Sequence, residues 1–176
     1  MCIRDRVIDP EFAIYGPFGF DVGMFLANLL LAFHAQSGHE DTPGARDGCR
    51  DWLLGQLAEV WQVFTAEFRH LWQTERTGIL YERSLFDDAG DAPGAEAALA
   101  GVLAGIWRDA MGFCGVEMHR RILGLAHVED LEAIPDPARR LRAEARALEL
   151  GRIIATARPT PGDLGPLARD MDRSIA

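Results

Sequence analysis

Two pairs of charged residues in this 176-residue chain are spaced to do chemistry. Asp9 and Glu11 flank Pro10. In extended chain, carboxylates at i and i+2 project to one face, and a proline between them stiffens the backbone and removes a donor. Converging carboxylate oxygens suit a hard divalent cation such as Mg2+, which is held by one or two carboxylates together with substrate phosphates. The same pattern also serves as two surface acids ahead of a turn. The second pair is Arg120 and Arg121. Adjacent helical side chains point about 100° apart, so both reach one ligand only at a helix edge facing a cleft. Guanidinium forks there would suit an oxygen-rich ligand or developing phosphoryl charge. The competing reading pairs Glu117 with Arg121 at i,i+4 on a solvated face. A lone acid, Asp21, opens an apolar run, where unpaired helix N–H groups and the dipole favour it. It could be a simple cap, a functional brace, or both.

The elements that must position these residues are mostly helical. Val7-Ile8 runs into Asp9-Pro10-Glu11 and the breaker Gly16-Pro17, which reads as a strand end followed by a loop. Residues 20–36 are apolar almost all round, with Leu26, Leu29, Leu30, Leu31 and Phe33, and predict a central buried helix. A Gly/Pro loop at 37–44 precedes a long amphipathic helix over 45–74, whose stripe of Trp52, Trp61, Phe64, Phe68 and Trp72 is assigned to the core. Residues 76–93 read as loop. A third helical segment starts near Ala95, with Gly112 and Gly115 expected to break or kink it before helix resumes over 116–125. Asp136 as N-cap and Pro137 at the first helical position start another helix that ends near Ala157. Residues 163–173 predict a last short, frayed helix in an otherwise uninformative tail over 159–176.

Composition narrows the function classes. The net charge of −9 argues against nucleic acid or an anionic membrane as main partner, since both call for a concentrated basic patch. The run Arg139, Arg140, Arg142 and Arg146 is read as a solvated face, with Glu144 and Glu149 as partners. Cys2, Cys49 and Cys114 form no CxxC pair and fit a reducing cytoplasm. The histidines show no HExxH pattern, so no structural metal site is expected. The apolar run over 18–35 carries Asp21 and Asn28 and reads as a helix buried in protein rather than in a membrane. Residues 1–6 have no signal-peptide pattern and are read as a non-native extension.

The run from Val7 to Gly23, containing DPEFA, YGP and GFDVG, resembles the metal-binding segment of aminoglycoside-phosphotransferase-like kinases, in the form seen in 5-methylthioribose kinases. The run from Gly115 to Val128, containing GVEM, the arginine pair and LGLAHV, resembles a second motif of the same kinases. The resemblance covers nearly everything from Val7 to about Ala157. It implies a mainly α chain: the helical C-lobe of a protein-kinase-like fold over 18–158, with a strand remnant and metal-binding loop at 7–17. By the same resemblance Asp9 and Glu11 hold Mg2+ and Asp21 braces the catalytic loop. Arg120 and Arg121 bind the sugar and neutralise the transferring phosphoryl group, with ATP as co-substrate. A cytoplasmic homodimer acting in methionine salvage is implied for the full-length enzyme. His119 departs from the apolar residue expected there, and His127 is read as a packing or hydrogen-bonding residue rather than a base. The chain has no lysine and no HGD-type run before Asp9, so the nucleotide lobe and general base are expected upstream and the sequence reads as truncated at its amino end. A related kinase for choline, homoserine or an aminoglycoside, or a non-enzymatic helical interaction module, remain as alternatives.

Overall fold

The computed structural model describes residues 15–78 and 81–174. The strand expected at 7–8 and the Asp9/Glu11 pair lie outside the described residues. Among the described residues seven helices follow in order: α1 Gly19–Gln36, α2 Asp47–Thr74, α3 Arg83–Phe86, α4 Ala92–Leu123, α5 Glu129–Glu132, α6 Pro137–Ala157 and α7 Leu164–Ser174. The chain is mainly α, as its periodicity predicts, and no strand occurs among the described residues.

Helix α1 is the centre. Leu26, Ala27, Leu30, Leu31, Phe33 and Ala35 are all buried, because α4, α2 and α6 pack around it. Each fully buried Leu or Phe contributes about 1.5–3 kcal/mol, so this helix holds the bundle. Its side towards α4 is cut to glycine. A Cβ on Gly19 would strike the Ile106 carbonyl and Ala110 nitrogen, and one on Gly23 the Ala110 carbonyl and Phe113. The two backbones therefore touch, running in the same direction. The helix stops at Ser37, whose hydroxyl donates to the His34 carbonyl at 3.0 Å.

The break expected at Gly112 and Gly115 does not occur: α4 is one helix of 32 residues. Mid-helix glycine costs about 0.5–1 kcal/mol. At Gly115 this is offset by packing, since a Cβ there would meet the Gly151 carbonyl and Ala155 of α6. Asp91 caps α4 by accepting from the Gly94 N–H at 3.0 Å, with a proline in the first turn. Helix α4 is long and apolar enough to cross a membrane by length and composition. Here its Ala110, Met111, Cys114 and Met118 are buried in the core. Helix α6 starts as the sequence predicts, with Asp136 Oδ1 accepting from the Ala138 N–H at 2.8 Å and the Arg139 N–H at 3.2 Å.

Three further expectations need correction. The aromatic stripe of α2 is not all core: Trp52 is exposed, and Trp61, Phe64, Phe68 and Trp72 are only partly buried. Only Leu53, Leu54 and Leu57 of α2 are buried. The distal rings stack on one another and lean on Leu99, Leu103 and Ile106 of α4, while Phe18, Phe68, Trp72 and Tyr81 line an apolar groove. Residues 76–93 are not wholly loop, because α3 lies within them. The carboxyl-terminal segment is a docked helix rather than a frayed tail. Leu164 and Ala168 of α7 are buried, and Asp172 meets Arg50 of α2 at 3.4 Å and Arg146 of α6 at 3.3 Å.

The basic face of α6 differs in the same way. Arg140 pairs with Glu144 at 2.6 Å, as expected, whereas Glu149 pairs with Arg152. Arg146 turns inward to Asp172 and Ser37, and Arg139 donates to the Glu40 carbonyl. The run ties helices together as much as it faces water.

Candidate functional site

The last turns of α4 carry the arginine pair. The stripe Ala110, Cys114 and Glu117 continues the buried side of α4, and Glu117 is only 2% exposed. Its carboxylate has no water to solvate it and must be paired. Arg120 supplies two hydrogen bonds, Nε to Oε2 at 2.6 Å and Nη2 to Oε1 at 2.8 Å. Arg121 supplies a third, Nε to the same Oε1 at 2.8 Å. The side chains of Arg120 and Arg121 are 48% and 28% exposed. One buried carboxylate thus draws together two guanidinium groups whose Cα–Cβ bonds diverge.

Surface pairing of Glu117 with Arg121 is therefore corrected in two respects: the acid is buried, and it holds both arginines. Glu117 was visible only as a surface partner in the sequence. The signal that could have found it is its place on the apolar stripe, three residues after Cys114 and seven after Ala110.

Two guanidinium nitrogens are left over from this arrangement. Arg121 Nη1 donates to the Ala126 carbonyl at 3.3 Å, closing the loop after α4 against its last turn. Arg120 Nη1 and Arg121 Nη2 make no hydrogen bond among the described residues, so both are available to oxygen atoms of a ligand. The Glu117 hydrogen bond holds the Arg120 guanidinium above its ordinary pKa, so it stays cationic. Burial pushes the Cys114 thiol up, and the Glu117 charge adds to it, which makes this cysteine an inert core residue.

His119 lies half-buried beside the pair. Its Nδ1 is 2.7 Å from the Gly115 carbonyl, and the ring packs over Gly151 of α6. A local backbone partner and a glycine seat explain how a histidine takes an apolar position. His127 is exposed, so the packing role expected for it is corrected.

Asp21 stands in the first turn of α1, exposed, and the cap residue Phe18 makes no side-chain cap bond. The carboxylate faces the helix dipole, worth about 0.3–1 kcal/mol, and has no hydrogen-bond partner among the described residues. Asp21 and the arginines are not brought together. Gly19 and Gly23 seat against 106–114 of α4, and ten residues more along that helix to Arg120 is roughly 15 Å at 1.5 Å per residue. Asp9 and Glu11 lie outside the described residues. Among the described residues no group of three or more His, Cys, Asp or Glu could hold a metal.

No family model matches the chain. Its similarity to curated proteins is extensive. It is 37% identical over 155 residues to methylthioribose kinase 1 of Oryza sativa subsp. japonica, covering 87% of this chain and 35% of that protein. It is 37% identical over 154 residues to a methylthioribose kinase of Escherichia coli O45:K1, covering 87% and 36%. A third, from Yersinia pestis strain Pestoides F, is 39% identical over 174 residues, covering 97% and 39%. The chain thus spans a little over a third of the length of the curated relatives it matches. Plant and bacterial kinases of one name align across nearly all of it, and on that ground the chain belongs to the methylthioribose kinase family.

Proposed function

We propose that this chain is the helical, sugar-contacting part of an ATP-dependent kinase that moves the γ-phosphoryl group of ATP to the anomeric hydroxyl of 5-methylthioribose. The observation that carries the reading is the Arg120–Glu117–Arg121 cluster. A buried acid holds two cations and leaves one nitrogen on each without a partner among the described residues. Oxygen-rich ligands and a phosphoryl group in transfer are the partners such donors suit.

In this mechanism Arg120 Nη1 and Arg121 Nη2 bind sugar or phosphoryl oxygens and stabilise charge that grows during transfer. Asp21, at the start of the central helix, braces the loop that carries the general base. Asp9 and Glu11 would hold Mg2+, a hard cation suited to two carboxylates at i and i+2. When bound, that ion would neutralise phosphate charge. A cytoplasmic homodimer serving methionine salvage completes the proposal, with the sugar and ATP as its ligands.

The test is to express the longest natural reading frame containing this chain and assay ATP-dependent phosphorylation of 5-methylthioribose, choline, homoserine and an aminoglycoside. Turnover of the thiosugar alone supports the reading, and turnover of another acceptor alone replaces it. No turnover of any acceptor by a folded enzyme returns the chain to a helical interaction module.

A further inference from the structure

We infer that Glu117 is a positioning residue for the reaction, acting through Arg120 and Arg121 by holding both guanidinium groups on one buried carboxylate. The inference rests on the reading of the two arginines as ligand-binding groups.

Three observations carry it. First, Glu117 is 2% exposed on a helix whose neighbouring buried residues are apolar, and a buried carboxylate is costly unless fully paired. Second, its two oxygens accept three charge-assisted hydrogen bonds at 2.6–2.8 Å, and Oε1 takes one from each arginine. Both cations are therefore referenced to one fixed point in the rigid part of α4. Third, once these bonds and that of Arg121 Nη1 to the Ala126 carbonyl are made, Arg120 Nη1 and Arg121 Nη2 keep no partner among the described residues. Without the carboxylate, two long side chains on adjacent helical residues would diverge and sample many rotamers in water. Ordering each on ligand binding would then cost entropy at every turnover.

Charge and geometry predict opposite effects for removing this acid, which makes the inference testable. Glu117→Gln removes one negative charge beside two cations. If the acid acted only through charge, an oxygen-rich anionic ligand would bind more tightly. Under positioning, the amide offers one acceptor oxygen instead of two and turns an NH2 towards a guanidinium. At least one arginine swings out and transfer weakens.

The experiment measures kcat, KM for the sugar, KM for ATP and the melting temperature of the full-length enzyme. It does so for Glu117→Gln, Glu117→Asp, the double variant Arg120→Ala/Arg121→Ala, and that double variant carrying Glu117→Gln. Glu117→Gln is expected to lower kcat/KM for the sugar by about 100-fold, the scale of an ångström misplacement of a binding group. Glu117→Asp keeps the charge but draws the carboxylate back by one methylene. It should show a smaller loss of the same kind, and it carries the test if Glu117→Gln does not fold. Adding Glu117→Gln to the arginine-free enzyme should leave kcat/KM where the double variant put it, while raising the melting temperature by neutralising a buried carboxylate that has lost its partners. Wild-type or improved kcat/KM in folded Glu117→Gln overturns the inference. So does an equal loss on adding it to the arginine-free enzyme, since Glu117 would then act by another route. Failure of the underlying reading looks different: the arginine double variant itself would keep wild-type kcat/KM.

Discussion

At the scale of single residues, the site depends on which charges are buried and which remain free. Arg121 is tied at both ends, by Glu117 and by the Ala126 carbonyl. Arg121→Ala should therefore cost about 2–4 kcal/mol of transition-state stabilisation, the scale of removing one preorganised donor. Steady-state kinetics on the full-length enzyme check this, and an unchanged kcat/KM would return the arginines to a surface role. Glu11→Gln should raise the Mg2+ concentration needed for half-maximal turnover without altering the melting temperature. A titration that leaves the metal dependence unchanged makes Glu11 a bystander. His34 supplies the pH dependence. It is fully buried in α1, and neither ring nitrogen has a hydrogen-bond partner among the described residues. Asp172, at 3.8 Å, is beyond hydrogen-bonding distance and also faces Arg50 and Arg146. Burial lowers the His34 pKa below its ordinary 6.5, against the pull of Asp172. The folded state thus favours the neutral ring. Stability is full above pH 6.5 and falls as pH drops below it, because the unfolded chain takes up the proton first. Burial alone would raise the Asp172 carboxyl, but His34, Arg146 and Arg50 hold it down, so its contribution is lost only at more acidic pH. Melting temperature should decline from pH 7.5 to 5.5 in the wild type and decline less in His34→Leu. Equal slopes would remove His34 as the cause.

At the scale of elements, helix α1 is the structural axis and α4 the rail beside it. Leu30 is completely buried where α1 meets its neighbours. Leu30→Asp buries an unpaired charge and should destabilise by about 4 kcal/mol or more. A soluble variant with nearly unchanged melting temperature would contradict the central place of α1. Gly23→Val tests the seat on α4 and should cost about 1–3 kcal/mol by overpacking, because the Ala110 carbonyl and Phe113 already occupy the space. A melting temperature equal to wild type would mean the helices can separate freely. The distal half of α2 behaves differently. Its rings are stacked but half-covered, so a stripe that looks like core in the sequence is here one wall of an apolar groove.

At the scale of the whole molecule, the docked α7 closes the bundle through buried Leu164 and Ala168, the Arg169–Asp51 pair at 2.9 Å and the acid Asp172. Asp172 joins α7 to α2 and α6 and lies beside His34 of α1. A docked helix of eleven residues is a local unit that can open before the rest. Asp172→Ala should therefore speed amide exchange in 164–174 while leaving α1 protected, as read by hydrogen exchange. Equal protection across both helices would show that the apolar contacts of Leu164 and Ala168 suffice.

What the sequence determined by itself was the longer helices and the family, but neither the short α3 and α5 nor the continuity of α4. The buried α1 followed from its apolar residues on every side, and the α6 start from Asp136-Pro137. The kinase resemblance followed from two runs of residues whose order survives in the chain. Both kinds of information are local, carried by periodicity, cap chemistry and short motifs. The sequence could not say that α4 runs unbroken past Gly112 and Gly115: at Gly115 the close approach of α6 offsets the cost of a mid-helix glycine, while Gly112 faces open space. Nor could it distinguish core rings from groove rings on α2, since an apolar stripe is the same whether one neighbour covers it or two. The arginine site shows the division most clearly. Spacing placed Glu117 within reach of Arg121, but burial in the assembled bundle decided that its carboxylate has no solvent. Desolvation is a property of the assembled bundle, and it turns a surface ion pair into a clamp on two cations.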